Sequence, residues 1–288
     1  MTDAPANLFT QHSRTWRNNR YVYPVISRRS KGLSIGVNLN PDKVCNFDCV
    51  YCSVDRTVEP EFREVDMAIL KDELAHLLSL AASGEFFNES PFDQTAPELR
   101  RVNDVAFSGD GEPTSSPHFG EACGMAAELI AQSGLAGVKI VVITNATLLH
   151  QPKVRQALTF LDQHNGEIWS KLDAGTQAYF EHIERTGIPF SRVLANIAAA
   201  GAVRPIVIQS LFMNVAGVGP TGVEIDEYIA RLTELKSGGC QIKLVQVYTV
   251  ARRTAEDNVT PLVAPQLDAI AARVRRLGLT AETFYGPT

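Results

Sequence analysis

The chain has 288 residues, 45% of them hydrophobic and 20% charged, with 27 basic against 32 acidic side chains and a formal net charge of −5. Those proportions belong to a globular protein rather than a disordered chain, and the charge gives no overall attraction for a polyanion. No basic start with an apolar core opens the sequence and no apolar run reaches about eighteen residues, so neither a secretory leader nor a membrane span is expected. Five cysteines, three of them crowded together, do not make a disulfide framework and suit a reducing cytoplasm.

In chain order, residues 1–31 form a basic, aromatic arm: Arg14, Arg17, Arg20, Arg28, Arg29 and Lys31 stand against the single acid Asp3, interleaved with Phe9, Trp16, Tyr21 and Tyr23. Such an arm either contacts an anionic substrate by charge and stacking or packs its aromatics and leaves its arginines in water. The second is favoured, because a charge run is usually a solvated face. Residues 32–288 read as one core domain. Residues 33–39 alternate as a strand until Asn40-Pro41 breaks them; 66–82 repeat Met67, Leu70, Leu74, Leu77 and Leu78 at helical spacing, with His76 at the surface or in packing. After a polar linker at 88–98 come a strand at 102–107 and a helix that Ser115 or Ser116 caps and that reaches about Ser133, with Cys123 as a small buried residue. A strand at 138–143 precedes a helix that Pro152 begins and Gly166 ends. Then follow a strand at 167–172, helices at 177–185 and 191–200, a strand at 206–213, a helix at 224–236, a strand at 242–250, a helix at 264–277 and a short closing strand at 283–285.

Six strand–helix units in succession predict an α/β fold whose parallel sheet curls toward a barrel, with an open doubly wound sheet as the rival on pattern alone. In either, reacting groups gather at the carboxyl ends of the strands. Polar residues fall there: the cysteines after the first strand, Ser108 to Glu112 after the second, Thr144 and Asn145 after the third, and Lys171 and Asp173 after the fourth. Gln209 and Asn214 follow on the fifth, and Gln246, Tyr248 and Arg252 on the sixth.

Cys45, Cys49 and Cys52 lie within eight residues, spaced C-x3-C-x2-C. Thiolates are soft ligands, and short loops between them wrap one metal centre. A zinc site of three thiolates and a histidine, or a chance group of buried cysteines, is the alternative. Zinc favours a second cysteine pair or a His-x3-5-His further on, and neither follows Cys52. A four-iron cubane on three cysteines leaves one iron open to a small molecule.

With Tyr51 before the last cysteine, this loop resembles the signature of the radical S-adenosylmethionine (SAM) superfamily. The resemblance implies a partial (β/α)6 TIM-like barrel and a 4Fe-4S cluster on Cys45, Cys49 and Cys52. It also implies SAM on the open iron, and a flavodoxin or ferredoxin type electron donor for reductive SAM cleavage to a hydrogen-abstracting 5'-deoxyadenosyl radical. Ser108-Gly109-Asp110-Gly111-Glu112-Pro113 is similar to the superfamily's glycine-rich motif, which gives Ser108, Gly109, Gly111 and Glu112 the methionine ammonium of SAM. Tyr51 then faces the adenine, Asn145 and Asp173 suit the ribose, and Lys171 the methionine carboxylate. Lys171, as a Schiff-base former, and Arg252, as a grip on an anionic substrate, are the catalytic candidates; a solvated or salt-bridged strand end is the alternative for Asn145, Lys171 and Asp173, and solvent exposure the alternative for Arg252.

The phrases Gly-Val-Asn-Leu-Asn-Pro-Asp-Lys-Val-Cys, Phe-Ser-Gly-Asp-Gly-Glu-Pro-Thr, Ile-Thr-Asn-Ala-Thr-Leu-Leu and Lys-Leu-Asp-Ala-Gly-Thr resemble the branch that includes the wybutosine-synthesis enzymes of tRNA. That branch uses a second cluster, for which the isolated Cys123 and Cys240 do not suffice, and the net charge does not support RNA. The expectation is therefore a wybutosine-synthase-like enzyme acting on an undetermined substrate. The alternatives are an activating or peptide-modifying radical SAM enzyme and a non-catalytic iron–sulfur electron carrier.

Overall fold

A computed structural model describes residues 16–286. Phe9 and Arg14 of the arm lie outside the described residues. The described residues divide into two compact units interleaved in sequence: one from residues up to 45, 58–143 and 151–167, the other from 46–57, 144–150 and from 168 on.

The first unit holds strands β1 (Val22–Ser27), β2 (Gly32–Val37), β3 (Val102–Phe107) and β4 (Lys139–Thr144), with helices α1 (Met67–Ser83), α2 (Phe119–Ser133) and α3 (Pro152–Leu161). β1 pairs antiparallel with β2, and β2, β3 and β4 run parallel. β2 was expected to alternate, yet all six of its residues are buried. Its polar and small positions pack too: the Ser34 hydroxyl donates to Asp104, and a Cβ on Gly36 would run into the Tyr23 ring. The arm's described residues follow the packing reading. Glu73 on α1 accepts from the backbone N–H groups of Arg20 (2.7 Å), Tyr21 (2.9 Å) and Val22 (3.1 Å), Trp16 lies against His76 and Phe86, and Arg17 pairs with Glu89. β1 was not expected as a strand; as the edge of an antiparallel pair it tolerates Pro24, which donates nothing to a ladder.

Other boundaries move for local reasons. Pro113–Ser115 forms a short 3-10 turn, so α2 starts at Phe119, not at Ser115 or Ser116. α3 ends at Leu161; Asn165 takes the left-handed turn (φ 55°), and Gly166 opens the next strand because a Cβ there would strike the Leu161 carbonyl. The linker at 88–98 is a run of 3-10 turns, introduced by the buried Phe86 and Phe87.

Asp104, 2% exposed on β3, makes an electrostatic prediction. Burial pushes its carboxyl up to about 6, against the Ser34 hydrogen bond and the charges of Lys139 and Arg29, which pull it down. An acid raised in the folded state contributes stability that is complete below its unfolded pKa and is lost as pH rises through about 6. At 1.36 kcal/mol per unit the loss is on the order of 3 kcal/mol. Asp104→Asn, which keeps an acceptor for Ser34, is expected to flatten the stability profile between about pH 4 and 7. Urea midpoints of the two proteins at pH 5 and 7.5 check this; parallel profiles would refute it.

The second unit holds most of β5 (Gly166–Lys171), then β6 (Ile206–Leu211), β7 (Met213–Val215), β8 (Ile242–Tyr248), β9 (Val259–Pro261) and β10 (Ala281–Phe284). Its helices are α4 (Gln177–Glu184), α5 (Phe190–Val203), α6 (Gly222–Ser237) and α7 (Ala264–Arg276). β5, β6, β8 and β10 run parallel in that order. Every residue of β6 is buried, as a strand covered on both faces requires. The strand expected to reach 213 breaks at Phe212, because Met213–Val215 turns away to pair antiparallel with β9. Cys123 (0% exposed) and Cys240 (6%) are both core residues, the latter against Gly201.

Candidate active site

In the first unit, the loop after β3 presses on residues 38–44. Asn38 Oδ1 accepts from the backbone N–H groups of Asn40 (3.0 Å) and Asp110 (3.2 Å), and its amide donates to Asp110 Oδ2 (2.7 Å). A Cβ on Gly109 would strike Asn38, and one on Gly111 would strike the Val44 carbonyl beside Cys45, so these two glycines are what allow the approach. Ser108 Oγ lies 3.1 Å from the Tyr23 hydroxyl. Glu112, 2% exposed, uses Oε1 to cap the 3-10 turn, accepting from Thr114 N (3.1 Å) and Thr114 Oγ1 (2.5 Å). Asn38 and Asn40, which the sequence placed at the end of a strand, are the side chains that organise this loop.

In the second unit, residues 46–52 of the cysteine loop are pinned by the buried Phe47 and Val50. Asn46 and Asn145 form a pair: Asn145 Nδ2 donates to Asn46 Oδ1 (2.7 Å), and Asn46 Nδ2 donates to Thr147 Oγ1 (2.7 Å). Tyr51, Lys171 and Asp173 come together. The Tyr51 hydroxyl lies 2.5 Å from Asp173 Oδ2 and 2.9 Å from Glu184 Oε1; Lys171 Nζ lies 2.9 Å from Asp173 Oδ2, 3.0 Å from the Tyr248 hydroxyl and 4.7 Å over the Tyr51 ring. Asp173 Oδ1 accepts from Leu211 N (2.7 Å). Burial alone would lower the Lys171 ammonium, but Asp173, then Tyr248 and Glu184, outweigh it and hold the group above its ordinary pKa. The ion pair with Asp173 favours the charged form of Lys171. Arg252 lies half-buried past Tyr248.

Glu184, at the end of α4 and 2% exposed, carries no motif and was missed. The Cys49 thiol donates to its Oε2 (2.6 Å). Burial, then Asp173, push its carboxyl up, and burial followed by Glu184 does the same to Cys49. Its surroundings show it only after folding, since a Glu three residues before a Gly reads as a solvated helix end.

The cysteines fit an iron–sulfur ligand set. None is in a disulfide, and Cys45, Cys49 and Cys52 are partly accessible. Cys52 Sγ accepts from Arg56 Nη1 (3.2 Å) and Val54 N (3.4 Å), donors that suit a thiolate. Among the described residues no three His, Cys, Asp or Glu side chains surround a point for a single ion. A cubane does not ask for one, because each cysteine takes a different iron. No helix among the described residues is long and apolar enough to cross a membrane.

The sequence profile of the Radical SAM superfamily matches residues 39–232. A UPF0026 protein of Helicobacter pylori is 30% identical over 177 residues, covering 60% of this chain and 48% of that protein. A UPF0026 protein of Synechocystis is 30% identical over 179 residues, covering 61% and 57%. The chain thus spans about half the length of the curated relatives it matches. A radical SAM methyltransferase from Sphaerobacter thermophilus shares the fold with a TM-score of 0.62 at 12% identity, over 92% of this chain and 69% of that one. SuiB of Streptococcus suis, in a structure bound to S-adenosylmethionine, gives 0.52 at 14%, over 90% and 49%. The fold is the partial TIM-like barrel, as expected. The chain belongs to the Radical SAM superfamily, a family of enzymes whose cofactors are a 4Fe-4S cluster and SAM.

Proposed function

We propose that the chain cleaves SAM reductively and uses the resulting radical to take hydrogen from a substrate, with Cys45, Cys49 and Cys52 holding the cluster and a flavodoxin or ferredoxin supplying the electron. The observation that carries this reading is the anchored loop with three cysteines in eight residues, of which Cys52 already accepts two N–H donors. When bound, the cluster and SAM supply a 5'-deoxyadenosyl radical; the chain's part is to hold them. Ser108, Gly109, Gly111 and Glu112 offer the backbone edge and carboxylate for the methionine ammonium. Tyr51 within the cysteine loop and Asn145, bonded to Asn46 of the same loop, are to line the place of the nucleoside. Lys171 presents a fixed positive charge, oriented by Asp173, to a carboxylate of SAM or substrate, and Arg252 supplies a second grip on an anionic substrate.

Sequence phrases resembling the wybutosine branch make tRNA with pyruvate the first substrates to try, but Cys123 and Cys240 sit in the cores and hold no second cluster in this reading. The test is anaerobic reconstitution with iron and sulfide, then dithionite and SAM, assayed for 5'-deoxyadenosine with and without tRNA and pyruvate. Release of 5'-deoxyadenosine is expected, and a rise with tRNA and pyruvate would assign the branch's reaction. No release from a fully loaded protein would overturn the proposal in favour of an electron carrier.

A further inference from the structure

We infer that the end of α4 and the segment 254–256 form a two-sided clamp on the cysteine loop, with the Arg185–Glu256 ion pair as its latch, and that this clamp sets how firmly the loop retains its cluster. The inference rests on the cluster reading proposed above. It concerns residues that touch neither cluster nor SAM and act through the loop.

The loop is held from one side at alternate residues. Thr186 Oγ1 donates to Asn46 O (2.9 Å), Asp48 N donates to Glu184 O (3.0 Å), and Val50 N donates to Ile183 O (2.9 Å). A helix leaves its last carbonyls without intrahelical partners, and here two of them serve the loop. The chain frees them by ending α4 abruptly: Arg185 is left-handed (φ 45°, ψ 56°), its own N–H closing back on Glu181 O. An arginine in that conformation is held there by its surroundings. Phe180, one turn earlier, meets Phe47 edge-on at 5.6 Å.

From the other side, Ala255 N donates to Cys52 O (2.8 Å), fixing the loop's last cysteine. Thr254 Oγ1 donates to Glu256 O (2.6 Å) and shapes that segment. The two sides are tied by the fork of Arg185 on Glu256, with Nη1 on Oε1 and Nη2 on Oε2 (3.0 Å). A bidentate pair fixes geometry as well as charge. Three thiolates keep a four-iron cluster only while the backbone holds them at the spacing of its corners, so a loop free at Cys52 O or at Asp48 N releases iron faster.

Charge reversal tests the latch on the full chain, reconstituted anaerobically, by the rate of iron release to a ferrous chelator. Arg185→Glu and Glu256→Arg are each expected to release iron about fivefold faster, the scale of a favourably oriented surface pair. The double swap is expected to return to within about twofold of the native rate, and Glu256→Gln to fall between. In 1 M salt, where the Debye length is about 3 Å, the single variants are expected to approach the native chain. Thermal midpoints of the iron-free proteins control for folding. Native rates in both single variants, or a double swap no slower than they are, overturns the latch. A single variant that takes up no cluster while the double swap does supports it. A native chain that takes up no cluster at all overturns the cluster reading instead, which separates the two failures.

Discussion

Replacing Cys45, Cys49 or Cys52 by alanine, one at a time, is expected to abolish the broad visible absorbance of the reconstituted protein and to end SAM cleavage. Cys123→Ala and Cys240→Ala are expected to load iron as the native chain does. The three loop cysteines are partly accessible on one pinned loop; the other two are buried core residues, Cys123 on α2 and Cys240 just before β8. Two ligands cannot hold a cubane against a reductant and a chelator, so each loop variant should fall from about four irons per chain to below about one. Cys123→Ala removes a buried sulfur from α2 and is expected to cost about 1 kcal/mol of stability without touching iron content. Iron and sulfide analysis decides it. A Cys123 variant unable to retain iron would end the single-cluster account.

Asp173→Ala is expected to be the most damaging single change to the second unit's stability. Its carboxylate, with no exposed surface, accepts from Leu211 N, the Tyr51 hydroxyl and the Lys171 ammonium at once. Removing it leaves a cation, 17% exposed, without its strongest partner. Breaking a buried pair from one side costs about 3–5 kcal/mol, because the remaining charge stays desolvated. The double variant Asp173→Leu with Lys171→Met removes both charges and is expected to recover much of that loss. Urea unfolding of the single and double variants measures the coupling directly. A single variant within about 1 kcal/mol of the native chain would show that Lys171 finds water.

The strand–helix alternation was legible because parallel strands covered on both faces read as apolar runs and the helices repeat at 3.6 residues. β6, expected from its β-branched start, is buried throughout. What escaped depends on partners far away in sequence. β1 looks like part of a basic arm until β2 gives it an edge to pair with, and the two-stranded β7–β9 sheet exists only because residues 213–215 meet 259–261. The cysteines and the glycine-rich loop stood out by spacing, and their expected roles came with the family resemblance. Asn38 and Asn40, which set that loop, and Glu184, which meets Cys49, did not: a buried carboxylate is visible only once its neighbours are placed. Lys171 and Asp173 were found as strand-end polar residues with a salt-bridged end as one reading, and they do pair at 2.9 Å; that the Tyr51 and Tyr248 hydroxyls join them needed coordinates.

The most direct test of the central claim, a cluster on three cysteines with one iron left open for SAM, is the electron paramagnetic resonance spectrum of the dithionite-reduced protein recorded before and after SAM is added. The account predicts a reduced 4Fe-4S signal whose g-values shift when SAM is added, in the native chain and in Cys123→Ala alike. A spectrum unchanged by saturating SAM would mean that every iron is already held by the protein and would contradict it.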